Sequence, residues 1–439
     1  MVQYANGGIT MTDYLERFRE LGKVVTCDNF SDYRQEILDL TNYDEAKVPQ
    51  YTLPSALDVV PGRRVGSAME WMGWGRPAVL RMLQDEMYGQ PLPRPDQLSF
   101  ELLSRRDDAL DGTAIRKEVR VHCGMRDGRR FQFTILLYAP LSARERPAPA
   151  FAGLNFKGNE ATTEERDVLV TSPAAAGRYQ KEGGAEADRR GVQVERWCFR
   201  ELVARGFASA TVCYEDIFPD RTDGWENSAL TLFEDGLKGY DGPHERYTSI
   251  GVWSWGLSRM MDYLETEPLV DAARVGVHGH SRLGKTALWA GACDQRFAAV
   301  FSNCSGCGGA ALARRKFGET YLFIDNSMSH WFTKSLHKYN GREETMPFDQ
   351  HWLIALAAPR LVSVASASED LWADPKGEFL AAKGAEEVYR LFGAEGLPAA
   401  APPPGVCVDG DISYHCRVGA HNQLLFDWEH YMRILARQQ

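Results

Sequence analysis

From residue 149 onward, short apolar runs alternate with segments of helical length, and this alternation limits the possible fold more than any other feature. The apolar runs read PAFAGLNF, FASATVCYED, RVGVHG, AAVFSN, RLVSVASA and GVCVDGDISY. The segments that we predict to be helices include RWCFRELVARG, residues of about 250–266, the stretch from about Leu283, DQHWLIALAA, the stretch after Asp374–Pro375, and NQLLFDWEHYMRIL. Strands that alternate with helices predict an α/β fold with a mostly parallel sheet and helices on both faces, a three-layer sandwich.

A hairpin precedes this pattern, because KEVRVHCGMRDGRRFQFTILLYAP holds two alternating runs around Arg126, Asp127 and Gly128. No repeat and no long linker divides the 439 residues, so we predict one catalytic domain with an N-terminal helical lead over about 1–110. Polar stretches near 157–194 and 217–247 follow predicted strands and so overhang the carboxyl edge of the sheet. They are either substrate-facing loops or flexible decoration.

Composition excludes several classes of protein. The net charge of −10, without a cluster of Lys and Arg, argues against binding to nucleic acid or to an anionic membrane. The first residues lack a secretory signal, so we expect a cytoplasmic protein, or a secreted one if a leader has been trimmed. Nine scattered cysteines indicate buried free thiols rather than disulfides, and Cys304 and Cys307 fit a tight Gly-rich turn. We predict no cofactor and no metal.

The segment RVGVHGHSRLGKTALW, residues 274–289, joins a predicted strand to a predicted helix and permits two interpretations. From Gly279 to Thr286 it matches the phosphate-binding pattern GxxxxGKT, but the next strand, AAVFSN, does not end in the acidic residue that magnesium needs. Alternatively, Ser281 is a nucleophile on a strand-to-helix turn, although Gly284 comes one position later than in GxSxG. His280 is unsuitable as its base, because neighbouring side chains in a turn diverge.

Partners for the serine occur later in the chain. The sequence RVGAH brings His421 into a loop after a late strand, where the catalytic base of such folds lies. The run SEDLWADP offers Glu369, Asp370 and Asp374, but Asp374 before a proline is typical of a helix N-cap. We favour Asp370 over Glu369 as the acid. The order Ser281, Asp370, His421 is that of the α/β-hydrolases.

Several motifs together resemble bacterial members of the glucuronoyl esterase family, carbohydrate esterase family 15. They are GHSRLGK, SGCGGAAL, ASASEDLWADP, RVGAH, NYDEAKVPQYTLP and LNFKGN, and the resemblance extends from about Tyr43. It implies hydrolysis of the ester on the carboxyl group of (4-O-methyl-)glucuronic acid in glucuronoxylan, with a lignin-like alcohol. The expected partner is therefore a small-molecule or oligosaccharide uronic acid ester, and we expect a monomer.

By position within these motifs, the resemblance implies roles for four further residues. Arg282 would support the oxyanion, Lys285 would bind hydroxyls of the uronic ring, and Glu319 and Trp372 would line the sugar pocket. An acetyl esterase of the same fold, such as an acetylxylan deacetylase, would not need this set, and it remains an alternative. A nucleotide-binding protein is a remote one.

Two departures from the fungal members follow from the same comparison. Their acid lies in a Glu-Ser-Gly element shortly after the nucleophile, where this chain has Cys304 before Ser305 and Gly306. A thiol orients an imidazolium poorly, so the role passes to Asp370, as in bacterial relatives. Fungal members also carry a disulfide beside the serine and histidine, whereas the corresponding neighbours here are His280 and Asn422.

Overall fold

The computed structural model describes residues 30–172, 189–233 and 246–438, together with short pieces of the preceding segment. Parts of both predicted loops, 173–188 and 234–245, lie outside the described residues, as does Cys27. The eight cysteines that the structure describes are free thiols, as predicted, but Cys293 is exposed and Cys407 is half-buried, whereas all were expected to be buried. In the described part of the chain, no helix is both long enough and apolar enough to span a membrane.

A ten-stranded sheet forms the centre of the molecule, in the order β9-β10-β8-β7-β6-β4-β5-β3-β2-β1. Its strands are β1 (Gln97–Asp108), β2 (Ala114–Gly124), β3 (Arg130–Pro140), β4 (Ala148–Asn155), β5 (Ala208–Cys213), β6 (Val270–His280), β7 (Ala299–Asn303), β8 (Leu361–Ala367), β9 (Cys407–Val408) and β10 (Ile412–Arg417). Six neighbouring strands run parallel to one another, in the order β5, β4, β6, β7, β8 and β10. The predicted parallel sheet and the predicted hairpin, β2 with β3, are confirmed.

Two elements differ from the sequence prediction. The segment predicted as an N-terminal helical lead over about 1–110 ends in a full strand, β1, which pairs antiparallel with β2. Leu98, Phe100 and Leu102 alternate with polar residues, but this short pattern ends where the pairing with β2 shifts register between Leu102 and Ser104, and the last residues of the strand are polar and exposed. The run GVCVDGDISY, expected as one strand, divides at residues 409–411 into β9 and β10, which pair antiparallel.

Helices cover both faces of the sheet. The longer ones are α1 (Arg34–Leu40), α2 (Arg76–Leu83), α3 (Phe199–Ala204), α4 (Ser249–Leu264), α5 (Arg282–Cys293), α6 (Tyr321–Ser327), α7 (His351–Ala355), α8 (Pro375–Tyr389) and α9 (Leu425–Ala436). On one face, Phe151 and Phe301 of the sheet pack against Leu202 of α3 and Trp428 of α9. On the other face, α4, α5 and α8 pack over the same strands in the main core. The predicted three-layer α/β architecture is confirmed.

Candidate active site

Ser281 is the one residue that separates strand β6 from helix α5. Strand β6 ends at His280 and helix α5 begins at Arg282, so the turn is a single residue with φ 60° and ψ −132°. Its backbone N–H donates to the Asn303 carbonyl oxygen at 2.8 Å, and its own carbonyl accepts from the Gly284 N–H at 2.8 Å. A non-glycine residue in this conformation is strained and persists because such surrounding bonds hold it. The side chain is thereby presented at the carboxyl edge of the sheet.

The glycines of the motif provide space for this turn. A Cβ atom at Gly279 would lie 1.9 Å from the Leu283 carbonyl oxygen, and one at Gly284 would lie 3.1 Å from the Asn303 carbonyl oxygen. Helix α5 therefore lies directly on the end of β6. A phosphate-binding loop needs several residues between strand and helix to wrap around its ligand, and a single residue leaves no such loop. The nucleotide-binding interpretation is not favoured.

His421 and Asp370 form a hydrogen-bonded pair after the ends of β10 and β8. The ring Nδ1 lies 2.6 Å from Asp370 Oδ2, and the side chains are 40% and 4% exposed. Glu369, the other candidate acid, has an exposed side chain. Asp374 is an N-cap as predicted, since its Oδ1 accepts the Gly377 N–H at 2.9 Å. A carboxylate on Nδ1 holds the tautomer whose Nε2 is a base.

Two further side chains lie beside this pair. Cys304 is buried, and its Sγ lies within 4.8 Å of ligand-type atoms of Asp370 and His421. The His280 ring centroid lies 4.3 Å from that of His421, and its Nδ1 lies 2.6 Å from Asn303 Oδ1. Burial, with a smaller contribution from His421, holds the pKa of His280 well below its usual range. His280 therefore adds no positive charge next to His421.

Arg282 points its guanidinium at a fully buried carboxylate that sequence reasoning missed. It forms an ion pair with Asp220 and lies over the Trp331 ring, with Cζ 4.9 Å from the ring centroid. Asp220 also accepts hydrogen bonds from Trp331 Nε1 at 2.8 Å and from His330 Nε2 at 2.7 Å. Asp220 belongs to the predicted loop at 217–247, so that loop reaches the site. Its position after β5 was the sole sequence signal.

Lys285 and Glu319 form a second charged pair. The ammonium donates to Glu319 Oε2 at 2.8 Å and to the carbonyl oxygens of Ser305 at 2.8 Å and Cys307 at 2.6 Å. An ammonium has three donors, so these bonds occupy all of them. The side chain of Lys285 is 3% exposed and that of Glu319 is 11% exposed. Glu319 is thus the more accessible member of the pair.

The predicted site residues share one cavity of about 580 Å³. Its lining includes Ser281, Arg282, Lys285, Glu319, Asp370, Trp372 and His421. Trp372 packs edge-on against Phe323, with ring centroids 5.5 Å apart, and its carbonyl oxygen accepts the Glu319 N–H at 2.8 Å. A cavity of this volume that holds a serine, a carboxylate-bound histidine and buried charges is typical of an enzyme site for a small polar ligand.

Comparison of sequences relates the chain to carbohydrate esterases. The sequence profile described as glucuronyl esterase of fungi matches residues 240–393. A curated carbohydrate esterase from an unknown prokaryotic organism is 42% identical over 406 residues, which are 90% of this chain and 91% of that relative. A 4-O-methyl-glucuronoyl methylesterase of Schizophyllum commune is 31% identical over 197 residues, 42% of this chain and 48% of its own.

Solved structures agree with this relationship. A glucuronoyl esterase from Solibacter usitatus is 40% identical with a TM-score of 0.81, over 90% of this chain and 99% of that one. A promiscuous esterase of carbohydrate esterase family 15 from a marine bacterial metagenome is 39% identical with a TM-score of 0.79, over 91% and 100%. The chain therefore belongs to the glucuronoyl esterase family, carbohydrate esterase family 15, whose members are carboxylic ester hydrolases of the α/β-hydrolase fold.

Proposed function

We propose that this protein is a serine esterase that hydrolyses the ester on the carboxyl group of (4-O-methyl-)glucuronic acid, as in the lignin-carbohydrate esters of glucuronoxylan. The observation that carries the proposal is the single cavity lined by Ser281, by the hydrogen-bonded His421 and Asp370, and by the Lys285–Glu319 pair. Further support comes from the Schizophyllum commune and Solibacter usitatus relatives, which are named for this activity.

In the acylation step, the Nδ1–H of His421 donates a hydrogen bond to the Asp370 carboxylate, so that Nε2 is the base. His421 takes the Ser281 hydroxyl proton as the serine oxygen attacks the uronoyl carbonyl carbon. The tetrahedral intermediate then breaks the bond to the alcohol oxygen, which leaves with the proton held by His421. Asp370 stabilises the imidazolium that forms during the transfer.

The second half of the reaction uses the same groups. Water gives a proton to His421 Nε2 and attacks the acyl-enzyme carbonyl carbon. Collapse of this second intermediate releases the glucuronate carboxyl group and returns the proton to the Ser281 oxygen. No cofactor is needed to balance these steps.

Negative charge on the carbonyl oxygen is stabilised at the start of α5. The backbone N–H of Arg282 lies at the positive end of the helix dipole. The Arg282 side chain lines the cavity and is 23% exposed, and its pairing with Asp220 restricts the position of the guanidinium. Because the guanidinium is already in position, it needs little reorganisation when the oxyanion forms, and such preorganisation lowers the activation free energy.

Glu319 and Lys285 provide the expected recognition of the sugar. The Lys285 donors are occupied by protein acceptors, so we expect ring hydroxyls to donate to the more accessible Glu319 carboxylate, which Lys285 orients. Trp372 offers an apolar face at the same cavity for the sugar ring. The resemblance implies that Lys285 itself binds the ring hydroxyls. In the present proposal Glu319 binds them, and Lys285 orients the Glu319 carboxylate.

A substrate panel tests the proposal. Methyl glucuronate and its 4-O-methyl derivative, methyl galacturonate and an acetylated xylo-oligosaccharide are compared by release of methanol or acetate, with Ser281→Ala as the blank. We expect turnover of the glucuronate esters that Ser281→Ala abolishes with an unchanged circular dichroism spectrum. Preference for the acetyl ester would establish the deacetylase alternative, and full activity of Ser281→Ala would refute the serine mechanism.

A further inference from the structure

Two buried histidines face each other beside a cysteine at the β9–β10 edge of the sheet. The ring centroids of His415 on β10 and His430 on α9 are 4.6 Å apart, and both side chains are 0% exposed. Cys407 on β9 is paired with His415 across the two strands. The Cys407 sulfur and one ring nitrogen of each histidine all lie within 4.8 Å of one another.

Each imidazole is bonded on one side and unsatisfied on the other. His415 Nε2 lies 2.7 Å from Asp427 Oδ1, and His430 Nδ1 lies 3.2 Å from Asp409 Oδ1 and 3.1 Å from Arg433 Nη2. The opposite atoms, His415 Nδ1 and His430 Nε2, are buried without a hydrogen-bond partner among the described residues. Buried polar atoms are normally paired, so two orphans in one cluster require an explanation.

The chemistry of these atoms is that of metal ligands. When one imidazole N–H donates a hydrogen bond to a carboxylate, the other ring nitrogen carries a lone pair, which is the usual carboxylate–histidine–metal arrangement. Asp427 is placed to act in this way on His415. On His430, both Arg433 Nη2 and Asp409 face Nδ1, so metal binding at Nε2 requires the tautomer whose Nδ1–H donates to Asp409 in place of the bond from Arg433.

We propose that Cys407, His415 and His430 bind a zinc ion. The ligands would be the Cys407 thiolate, His415 Nδ1 and His430 Nε2, with water at the fourth position. Zinc bonds of about 2.3 Å to sulfur and about 2.0 Å to nitrogen separate tetrahedral ligand atoms by roughly 3.3 to 3.8 Å. The present separations of up to 4.8 Å would therefore close by at most about 1.5 Å.

The sequence predicts no metal here, because these residues do not follow a zinc motif, whose Cys and His residues usually occur in closely spaced pairs. They come together because the antiparallel pairing of β9 with β10 aligns Cys407 with His415, and because Asp427 and Tyr431 of α9 contact His415 of β10. Arg433 lies 3.6 Å from Asp409, which offsets part of its charge near the ion.

The site also connects to the loop that carries His421. Asp427 Oδ2 accepts from Arg417 Nε at 3.2 Å, and Arg417 Nη2 donates to the carbonyl oxygens of Ala420 at 2.6 Å and Asn422 at 3.0 Å. A metal that holds His415 against Asp427 would stabilise this chain of bonds. We therefore expect the ion to be structural, fastening α9 to the edge strands near the catalytic loop.

The wild-type protein provides the first test. Full-length protein freed of metal with a chelator is titrated with Zn²⁺ and, separately, with Co²⁺. We expect one equivalent of either ion to bind and to raise the melting temperature. Tetrahedral Co²⁺ should give visible d–d absorption bands and a near-ultraviolet thiolate-to-cobalt charge-transfer band, signals that do not depend on esterase activity.

Variants locate the ion. Cys407→Ser should remove the charge-transfer band and weaken Zn²⁺ binding by roughly 100-fold or more, and Asp409→Asn should weaken it about 10- to 100-fold. Cys293→Ser removes an exposed thiol outside the cluster and is the matched control. Cys304→Ser tests the rival cluster of Cys304, Asp370 and His421. Circular dichroism checks that each variant is folded.

The outcomes separate cleanly. Loss of the cobalt signature in Cys407→Ser but not in Cys293→Ser or Cys304→Ser supports the site. Loss in Cys304→Ser alone would move the ion to the catalytic cluster and overturn the proposal. Failure of the wild-type protein to bind Zn²⁺ or Co²⁺, or a cobalt spectrum without a thiolate band, would also overturn it, whatever the variants do.

Discussion

His421 Nδ1 lies 2.6 Å from Asp370 Oδ2, although the two residues follow different strands and are far apart in the chain. Strands β8 and β10 are adjacent and parallel, with Ala367 opposite Arg417, so the loops after them meet at one edge. The Ser368 N–H and the Glu369 N–H donate to the carbonyl oxygens of Arg417 and Gly419. These bonds between the loops bring the carboxylate to the imidazole.

Removing the charge of the acid should impair catalysis far more at position 370 than at position 369. Asp370→Asn allows the amide to favour the wrong imidazole tautomer, and we expect kcat to fall by about 10⁴-fold. Glu369→Gln changes an exposed side chain and should leave kcat within about two-fold. Turnover of methyl glucuronate by both purified variants is the measurement. The opposite order of losses would reassign the acid to Glu369.

The pair of Arg282 and Asp220 is expected to act on the transition state. Arg282→Met removes a fixed cation, and we expect kcat to fall about 10²- to 10³-fold with little change in KM. Burial would raise the pKa of Asp220, but Arg282 and His330 hold that pKa well below its usual range, so Asp220 remains charged near neutral pH. Asp220→Asn should therefore also reduce kcat.

A nearby arginine provides the control for this pair. Arg221 is 52% exposed and paired with Asp223, so Arg221→Met should leave the steady-state constants unchanged. Loss of kcat in Arg221→Met equal to that in Arg282→Met would indicate that the loop, and not the guanidinium beside Ser281, is responsible.

Substitutions in the buried pair of Lys285 and Glu319 should change the free energy of unfolding as well as substrate binding. Lys285→Met leaves a carboxylate without its cation, and we expect a loss of about 3–5 kcal/mol in the free energy of unfolding. Glu319→Gln keeps a hydrogen-bond acceptor and should cost less, while raising KM for glucuronate esters. The double variant should be more stable than Lys285→Met alone. Chemical denaturation and steady-state kinetics measure both effects, and additive losses would argue against the pair.

We expect the buried carboxyl group of Glu378 to make the free energy of unfolding depend on pH. Its carboxylate is buried beneath the turn after β7, and burial raises its pKa from 4.5 to about 8. The folded state then holds a proton that the unfolded state has released between about pH 4.5 and 8. The contribution of this group to stability is therefore present at low pH and is lost as the pH rises through this window.

Glu378→Gln tests this dependence because the amide keeps the shape of the neutral acid. We expect the decline in unfolding free energy between pH 5 and 8 to be shallower than in the wild type, as measured by urea denaturation at several pH values. Glu429→Gln, which changes an exposed carboxylate paired with Arg205, is the control. Parallel profiles for Glu378→Gln and the wild type would exclude Glu378 as the source.

Much of this protein follows from local sequence. Apolar runs that alternate with helical segments predict the parallel sheet, because each element must bury one face or both. The turn around Ser281 was also predictable, since Gly279 has space for no Cβ and the serine follows a buried strand. His421 and the Asp374 cap depend on short motifs at element ends, where side chains serve neighbouring backbone or the sheet edge.

Only the tertiary structure decided the contacts between distant loops. Asp220 has no local motif, and it meets Arg282 because the loop after β5 crosses the sheet edge. The strand β1 keeps its alternation only as far as Leu102, where the pairing with β2 shifts register, and its last residues form a polar, exposed edge. Cys407, His415 and His430 likewise meet through strand pairing and helix packing. Periodicity records which face of an element is buried, whereas the partners across a loop or an edge depend on the assembled fold.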